Sequence, residues 1–485
     1  MNRSPLLLSE VLRAHSVHRG RLPAITDQSR TLTYAELWDR STSVRDQLRD
    51  DGYTPGDLVA VAASGSVDHV CVIVGILRAG MVVAPLNPHL TSREQQTYVG
   101  RIGAAVAFVD TTGGDPSWRH FDELLASGSD GDVNPDTANE DDLAIAFPTG
   151  GTTGTPKAAR WSHRSLVLAL LSSAQNLRVT PQHREVYLSP FFHVTMVTGL
   201  LTTLLVGGTA SLHRQVDDDA VATLLSPRPS RVFATPTVMA RVLAMAGPGP
   251  HPAARPTLIF GAARSSADFA KTLLTAFPAA QVFTGYGATE FGAVTRVFPE
   301  EINDGRGVGR PVSGVRLKIV DDSGAEQSAG TVGEIMVSSP WQMDGYLAGA
   351  AADEPFTVDG FIRSGDLGLL DRDGYLHLAG RRKELIKTGG EAVFPAEVED
   401  ALLTHPAVAE AAVVGRPDPE WGERVEAAVV LTEASTTTVS DLVEHCRANL
   451  ARFKVPKRIL AVEALPYTPN MKLDRAALME VLASC

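Results

Sequence analysis

Along the first 300 residues, apolar runs too short to be helices alternate with runs of helical period, and few folds accept that order. DLVAVAA (57–63) reads as a strand bounded by Gly56 and Gly65, HVCVIVGILRAG (69–80) as a helix and MVVAPLN (81–87) as a strand. SREQQTYVGRIG (92–103) and AVAFVD (105–110) repeat the pair. Ahead of them, TLTYAELWDRSTSVRDQLRD (31–50) has helical period behind a threonine cap. Strands that alternate with helices predict an α/β domain whose mostly parallel sheet is covered by helices. Residues 111–139 are polar and rich in Gly and Asp, so a surface excursion is expected there.

The sheet resumes at DLAIAFPTG (142–150), so a glycine-rich loop follows directly on a strand. WSHRSLVLALLSSAQNL (161–177) reads as the helix after that loop. From 308 to 380 the texture changes to short strands with Gly and Asp turns, which predicts a β-rich subdomain of barrel-like character. After Gly380-Arg381-Arg382 the segments AEVEDALLTHP, VAEAAVVGR, RVEAAVVLT and SDLVEHCRANLA predict a small α+β domain. At 485 residues the chain exceeds one ordinary core. The expected division is a large domain at 1–380 and a small C-terminal domain at 381–485.

Charge and cysteine usage remove several function classes. A net charge of -12 without a basic stripe argues against nucleic acid as a partner, since phosphate backbones are held by clustered Lys and Arg. Cys71, Cys446 and Cys485 are too few and too far apart for a disulfide framework or a zinc site. The most apolar stretch, VCVIVGILRAGMVVAPL, is interrupted by Arg78, Gly80 and Pro85, which predicts a buried helix and strand rather than a membrane span. The three-leucine run near the N-terminus is too short for a signal peptide, so a cytoplasmic location is expected.

The loop TGGTTGTPK (149–157) leaves three readings open: a nucleotide switch or motor, an enzyme that spends ATP, or a plain turn. A switch or motor loop needs Lys directly after Gly and a hydroxyl directly after Lys. Here Pro156 precedes Lys157 and Ala158 follows it, so that pattern fails. Backbone N–H groups, threonine hydroxyls and one lysine still suit phosphate oxygens.

TGGTTGTPK resembles the phosphate loop of the acyl-adenylate-forming superfamily, which includes acyl- and aryl-CoA ligases, peptide-synthetase adenylation domains and firefly luciferase. The family usually has Ser where Gly150 stands and Gly where Ala158 stands. The resemblance makes Thr149, Gly150, Gly151, Thr152, Thr153, Gly154 and Lys157 the phosphate grip. In GYGATE (285–290), similar to the family's Y-G-x-T-E, it places Tyr286 against adenine, Thr289 on the α-phosphate and Glu290 on Mg²⁺. FGAAR (260–264) is similar to the segment whose backbone lines the adenine pocket, which gives Gly261, Ala262 and Ala263 that role. RSGDLG (363–368) resembles the ribose-binding T-G-D, with Asp366 as acceptor for both hydroxyls, a task suited to an ionised carboxylate.

GRRKELIKTGGEAVFPAEVE (380–399) resembles the family's hinge: Arg381 would reach the ribose, Lys383 would be the pivot, and Gly389 and Gly390 would enter the site in the second half-reaction. LPYTPNMKLDR (465–475) is similar to the C-terminal segment whose lysine, here Lys472, bridges the substrate carboxylate and the α-phosphate, with Asn470-Met471 replacing Ser-Gly. PFFHVTMVTGL (190–200) corresponds to the segment lining the acyl pocket. Its His193, with Thr235, Gly285, Gly287, Ala288 and Phe291, forms the expected substrate pocket. Amino-acid-activating members carry an Asp hereabouts, whereas none lies between Val186 and Val216, which argues against an α-amino acid. ARFKVPK (451–457) also looks like that of the CoA-using members, and six of the chain's eight lysines (157, 383, 387, 454, 457, 472) fall in the segments that carry the resemblance.

The resemblance implies two steps. A carboxylic acid attacks the α-phosphate of MgATP to give an acyl-adenylate and pyrophosphate, then the thiol of coenzyme A displaces AMP. An adenylating ligase that passes the acyl group to an amine or a carrier-protein thiol is the alternative. A non-catalytic nucleotide-binding protein is the remote one.

Overall fold

The computed structural model describes residues 5–110, 115, 117–126, 136, 138–149, 157–188, 191–247, 249–260, 267–302, 306–347, 355–432, 437–468 and 473–484. It divides into two compact units, one of residues 1–316 with 337–362 and one of residues 317–336 with 363–485.

The first unit holds two seven-stranded sheets. In one, the order is Gln281–Phe283, Pro256–Phe260, Ser230–Ala234, Arg184–Tyr187, Thr209–Leu212, Pro23–Thr26 and Thr31–Thr33. The pairs joining the first five of these strands are parallel. In the other, Tyr346–Leu347, Lys157–Ser162 and Leu143–Thr149 form an antiparallel edge. That edge continues as parallel strands through Val82–Leu86, Leu58–Ala62, Val106–Val109 and Arg119–His120.

Local chemistry explains why these residues take these forms. Thr33 and Glu36 close a capping box at the start of the helix Tyr34–Asp50, and Ser66 caps the helix Val67–Arg78. The two helices cross where Gly75 faces Val44; a Cβ there would lie 2.5 Å from the valine, so only glycine admits the approach. Arg78, the last residue of the second helix and in the middle of the apolar stretch, is fully buried. Its guanidinium lies 3.3 Å from the Trp38 ring centroid and donates to Ser41 Oγ, Thr42 Oγ1 and the Trp38 carbonyl. A buried charge tolerates such a place only when bonded this way. No helix among the described residues is long and apolar enough to cross a membrane.

The structure corrects three expectations. Lys157 does not lead into a helix: it opens the strand Lys157–Ser162, which returns antiparallel to Leu143–Thr149, and the helix begins at His163. Thr149 and Lys157 thus end the two arms of a hairpin, and Ala158, Ala159 and Trp161 are buried on its return strand. The excursion at 111–139 contains a short helix, Phe121–Leu125, with Phe121 and Leu124 buried. Nearby, Asp136 holds the buried Arg45 and Arg78. Ion pairing and two apolar anchors outweigh the polar composition. In 308–380 the strands Arg316–Val320, Gly333–Ser338, Ile362–Leu370 and Leu376–Arg381 form an open four-stranded sheet, with no closure into a barrel among the described residues.

The second unit also contains the antiparallel ribbon Val408–Asp418 and Gly422–Leu431, to which Arg458–Ala461 adds in parallel. Alternation along the ribbon separates two cores. Val413, Val425 and Val429 face Val398, Leu402, Leu442 and Cys446 of the helices Pro395–Leu403 and Val439–Asn449. Ala412, Val414 and Ala428 face Leu478 and Leu482 of the helix Arg475–Ser484.

Candidate active site

Four adjacent strands of the first sheet run parallel and so deliver their carboxyl ends to one edge. His193 lies on the connection that leaves Arg184–Tyr187, Thr235 directly follows Ser230–Ala234, and GYGATE follows Gln281–Phe283. The carboxyl edge of a parallel sheet is where open α/β folds bind ligands, because the loops there diverge and the helix N-termini face them. The fourth connection, carrying Gly261, Ala262 and Ala263 after Pro256–Phe260, lies outside the described residues, as do Gly150, Gly151, Thr152, Thr153, Gly154 and Lys472.

Each of the described positions has a local cause. His193 is the N-cap residue of the helix Val194–Val206; its ring makes no cap hydrogen bond and packs on Phe192 with centroids 4.1 Å apart. Thr235 caps the helix Pro236–Ala246 through a 3.4 Å hydrogen bond from the Val238 N–H. GYGATE forms one arm of a tight hairpin in which Gly287 pairs with Ala293 and Ala288 with Gly292. A Cβ on Gly285 would lie 2.2 Å from the Thr295 carbonyl oxygen, and one on Gly287 would lie 2.4 Å from that of Gly292. Both glycines are therefore demanded by the opposite backbone. Tyr286 is 7% exposed and Phe291 1%, and their rings pack with centroids 5.7 Å apart. The Tyr286 N–H is held by Thr295 Oγ1 at 3.0 Å. The next residue, Arg296, is buried near Arg231, and burial first, then that neighbouring cation, pushes its pKa down to about 10.

The tip of this hairpin carries Thr289 and Glu290, and the second sheet holds it. Trp161, on the strand returning from the glycine-rich loop, donates its indole N–H to the Thr289 carbonyl at 3.0 Å. The Met343 N–H donates to the Glu290 carbonyl at 2.8 Å. Tyr346 donates its hydroxyl to Glu290 Oε1 at 2.9 Å, and the Lys157 ammonium sits 4.9 Å from the centroid of the same ring. Thr149 and Lys157 face each other at the mouth of the loop, with Thr149 Oγ1 donating to the Lys157 carbonyl at 3.4 Å. The structure thus brings Thr149, Lys157, Thr289 and Glu290 together. Sequence reading missed Trp161, Met343 and Tyr346, because only the folding of strand 346–347 onto 158–159 makes them neighbours.

Within the second unit, Asp366 and Arg381 are cross-strand partners, with Nε 3.2 Å from Oδ1. The Asp366 carboxylate is 14% exposed, so one buried wall and one open side remain. Lys383 lies in the turn Arg382–Glu384, directly after the strand that bears Arg381. Gly389 and Gly390 both have positive φ and join Ile386–Thr388 to Glu391–Val393. Such a two-residue hairpin turn requires left-handed backbone at both positions. A Cβ on Gly389 would also lie 2.8 Å from the Trp421 ring.

The donor set fits magnesium: one carboxylate, oriented by a hydroxyl and beside a lysine, suits an ion that keeps water and phosphate oxygens as its other ligands. The Lys157 ammonium at the mouth of the loop suits phosphate oxygens in the same way.

The AMP-binding enzyme family matches residues 12–347, and the AMP-binding enzyme C-terminal domain matches 397–472. An oxalate–CoA ligase of Arabidopsis thaliana is 32% identical, with 92% of each chain covered. A fatty acid–[acyl-carrier-protein] ligase of Streptomyces coeruleorubidus is 30% identical over 96% of this chain and 94% of its own. The o-succinylbenzoate CoA synthetase of Bacillus subtilis, solved with its acyl-adenylate intermediate, superimposes with a TM-score of 0.88 at 27% identity, covering 99% of this chain and 98% of that one. Solved with ATP and magnesium ion, it gives 0.86 at 27% identity, over 97% and 99%. The chain belongs to the AMP-binding enzyme family and is an acyl-CoA synthetase-like ligase.

Proposed function

We propose that this protein activates a carboxylic acid with MgATP, releases pyrophosphate, and passes the acyl group from the adenylate to the thiol of coenzyme A. The observation that carries the reading is the grouping of Lys157, Thr289 and Glu290 beside the carboxyl ends of four parallel strands. Both steps are displacements among anions, so orientation and charge neutralisation do the catalysis rather than a side-chain nucleophile.

Lys157 and the loop from Thr149 hold the departing phosphates, and Thr289 contacts the α-phosphate. Glu290 is the residue that would hold magnesium, which when bound neutralises charge on the phosphates. Tyr286 and the 261–263 backbone border adenine, and Asp366 with Arg381 grips the ribose. Lys472 bridges the attacking carboxylate and the α-phosphate. The acid itself occupies the space bordered by His193, Thr235, Gly285, Gly287, Ala288 and Phe291. Lys383 is the pivot about which the C-terminal domain, from about residue 381, exchanges Lys472 for the Gly389-Gly390 turn between steps.

Pyrophosphate release over a panel of acids, with and without coenzyme A, tests the reading. Acid-dependent release that coenzyme A accelerates, with thioester formed, is the expected result. A second reading, transfer to a carrier-protein thiol, is favoured by the likeness to the acyl-carrier-protein ligase. It predicts that coenzyme A leaves turnover unchanged while a phosphopantetheinyl carrier accelerates it. An amide formed from an added amine would instead identify an amide synthetase.

A further inference from the structure

We propose that Tyr346 is a positioning residue of the adenylation site: its hydroxyl fixes the magnesium-bearing carboxylate of Glu290 while its ring face seats the phosphate-binding ammonium of Lys157. The inference rests on the assignment of Glu290 to magnesium and Lys157 to phosphate.

The geometry is specific to this side chain. Tyr346 lies on the edge strand Tyr346–Leu347, in register with Ala159 and Ala158. The segment just before it is tied twice to the same strand: the Asp344 N–H donates to the Arg160 carbonyl at 2.7 Å, and the Arg160 N–H to the Gly345 carbonyl at 2.9 Å. Asp344 Oδ2 also accepts from the Ser162 N–H at 2.9 Å. The backbone of Tyr346 is thereby fixed relative to Lys157, which starts that strand. From this base the phenol reaches 2.9 Å to Glu290 Oε1, while three residues earlier the Met343 N–H grips the Glu290 carbonyl at 2.8 Å. One short segment therefore holds both the backbone and the carboxylate of Glu290.

The chemistry of the phenol suits the task. A neutral hydroxyl donates one hydrogen bond to the carboxylate without neutralising it, so the full negative charge remains to hold a cation. A lysine or arginine at the same place would pair with Glu290 and compete with the metal. Bonding at Oε1 orients the carboxylate that would hold the ion. The ring's negative face attracts the Lys157 ammonium at 4.9 Å, which places opposite charges on two different parts of one side chain. The two cationic sites of the nucleotide complex, lysine and metal, are thereby registered against one rigid ring.

The test is Mn²⁺ binding, followed by the electron paramagnetic resonance of the free ion, to the protein with α,β-methylene-ATP. Affinity for the metal-free analogue is measured separately by calorimetry. Y346F keeps the ring and loses the hydroxyl. We expect it to bind Mn²⁺ about tenfold more weakly, the size of a lost hydrogen bond to a charged group, with metal-free nucleotide affinity unchanged. E290Q should lose at least as much, and the double variant no more than E290Q alone. Y346L, which also removes the seat of Lys157, should weaken metal-free nucleotide binding. Wild-type Mn²⁺ affinity in Y346F beside a weakened E290Q overturns the proposal and leaves the Glu290 assignment standing. So does a Y346F loss that is equal with and without metal, which would mark a general structural role. Unchanged Mn²⁺ affinity in E290Q overturns the Glu290 assignment itself.

Discussion

Gly287→Ala puts the placement of Glu290 under direct strain. The added Cβ would lie 2.4 Å from the Gly292 carbonyl oxygen and 2.8 Å from Ala293 Cα, where ordinary contact begins near 3.4 Å. Relief requires the two arms of the hairpin to part by roughly 1 Å, because both obstacles are backbone and neither can rotate away. Glu290 sits at the hairpin tip, anchored on its far side by Met343 and Tyr346, so the displacement acts directly on that anchorage. Overpacking of this kind costs about 1–3 kcal/mol of stability. A misplacement of about 1 Å at a reacting centre costs on the order of 100-fold in rate.

The assay is pyrophosphate release under saturating ATP and acid, with denaturant unfolding run in parallel. The control is Gly100→Ala, an exposed position inside the helix Ser92–Ile102 where an added Cβ meets nothing within 4 Å. The same chemical change there should stabilise by about 0.5–1 kcal/mol, because alanine loses less entropy in a helix, and should leave the rate alone. A Gly287→Ala protein within twofold of wild type in rate would refute the claim that the hairpin fixes Glu290.

Other consequences are open to measurement. Asp366→Asn removes the charge that pairs with Arg381; under the proposed ribose role, ATP affinity measured by calorimetry should fall about tenfold or more, while 2′,3′-dideoxy-ATP should bind both proteins alike. Equal losses for both nucleotides would place Asp366 away from the ribose. Lys472→Ala should abolish adenylate formation and spare thioester formation from a supplied acyl-adenylate; equal loss of both would contradict a division of labour between the two half-reactions.

Burial pushes the pKa of both His69 and His163 down to about 4 from 6.5. Between those values the unfolded chain binds the proton and the folded one does not, so stability is full above about pH 6.5 and falls as pH drops toward 4, by up to about 1.4 kcal/mol per pH unit per histidine. Denaturant unfolding at pH 7 and 5 should show the loss, and H163Q should flatten it; an unaltered slope would contradict the assignment.

Much of this was legible in the sequence where local patterns carry the information. The strands Leu58–Ala62, Val82–Leu86 and Val106–Val109 and the helices between them follow from period and caps, and both ribbon strands of the C-terminal domain follow from their alternation. Asp366 and Arg381 were each marked by motif, and strand pairing makes them neighbours. What escaped was set by tertiary pairing. The six residues Lys157–Ser162 have the composition of a helix entry, but the 346–347 edge strand and the burial of Trp161 pull them into a sheet. Tyr346 carries no local signal at all, since its partners lie 56 positions away at Glu290 and far upstream at Lys157. Asp136 was hidden in a polar stretch because its worth depends on Arg45 and Arg78, which only folding brings to it.

The central claim is that a carboxylate oxygen of the substrate attacks the α-phosphate. An acid that supports turnover, labelled with ¹⁸O in its carboxyl group, tests this by mass spectrometry of the nucleotide and phosphate products. Attack at the α-phosphate predicts one ¹⁸O in AMP and none in pyrophosphate, whichever thiol takes the acyl group. Label in inorganic phosphate or pyrophosphate, or AMP without label, would contradict it.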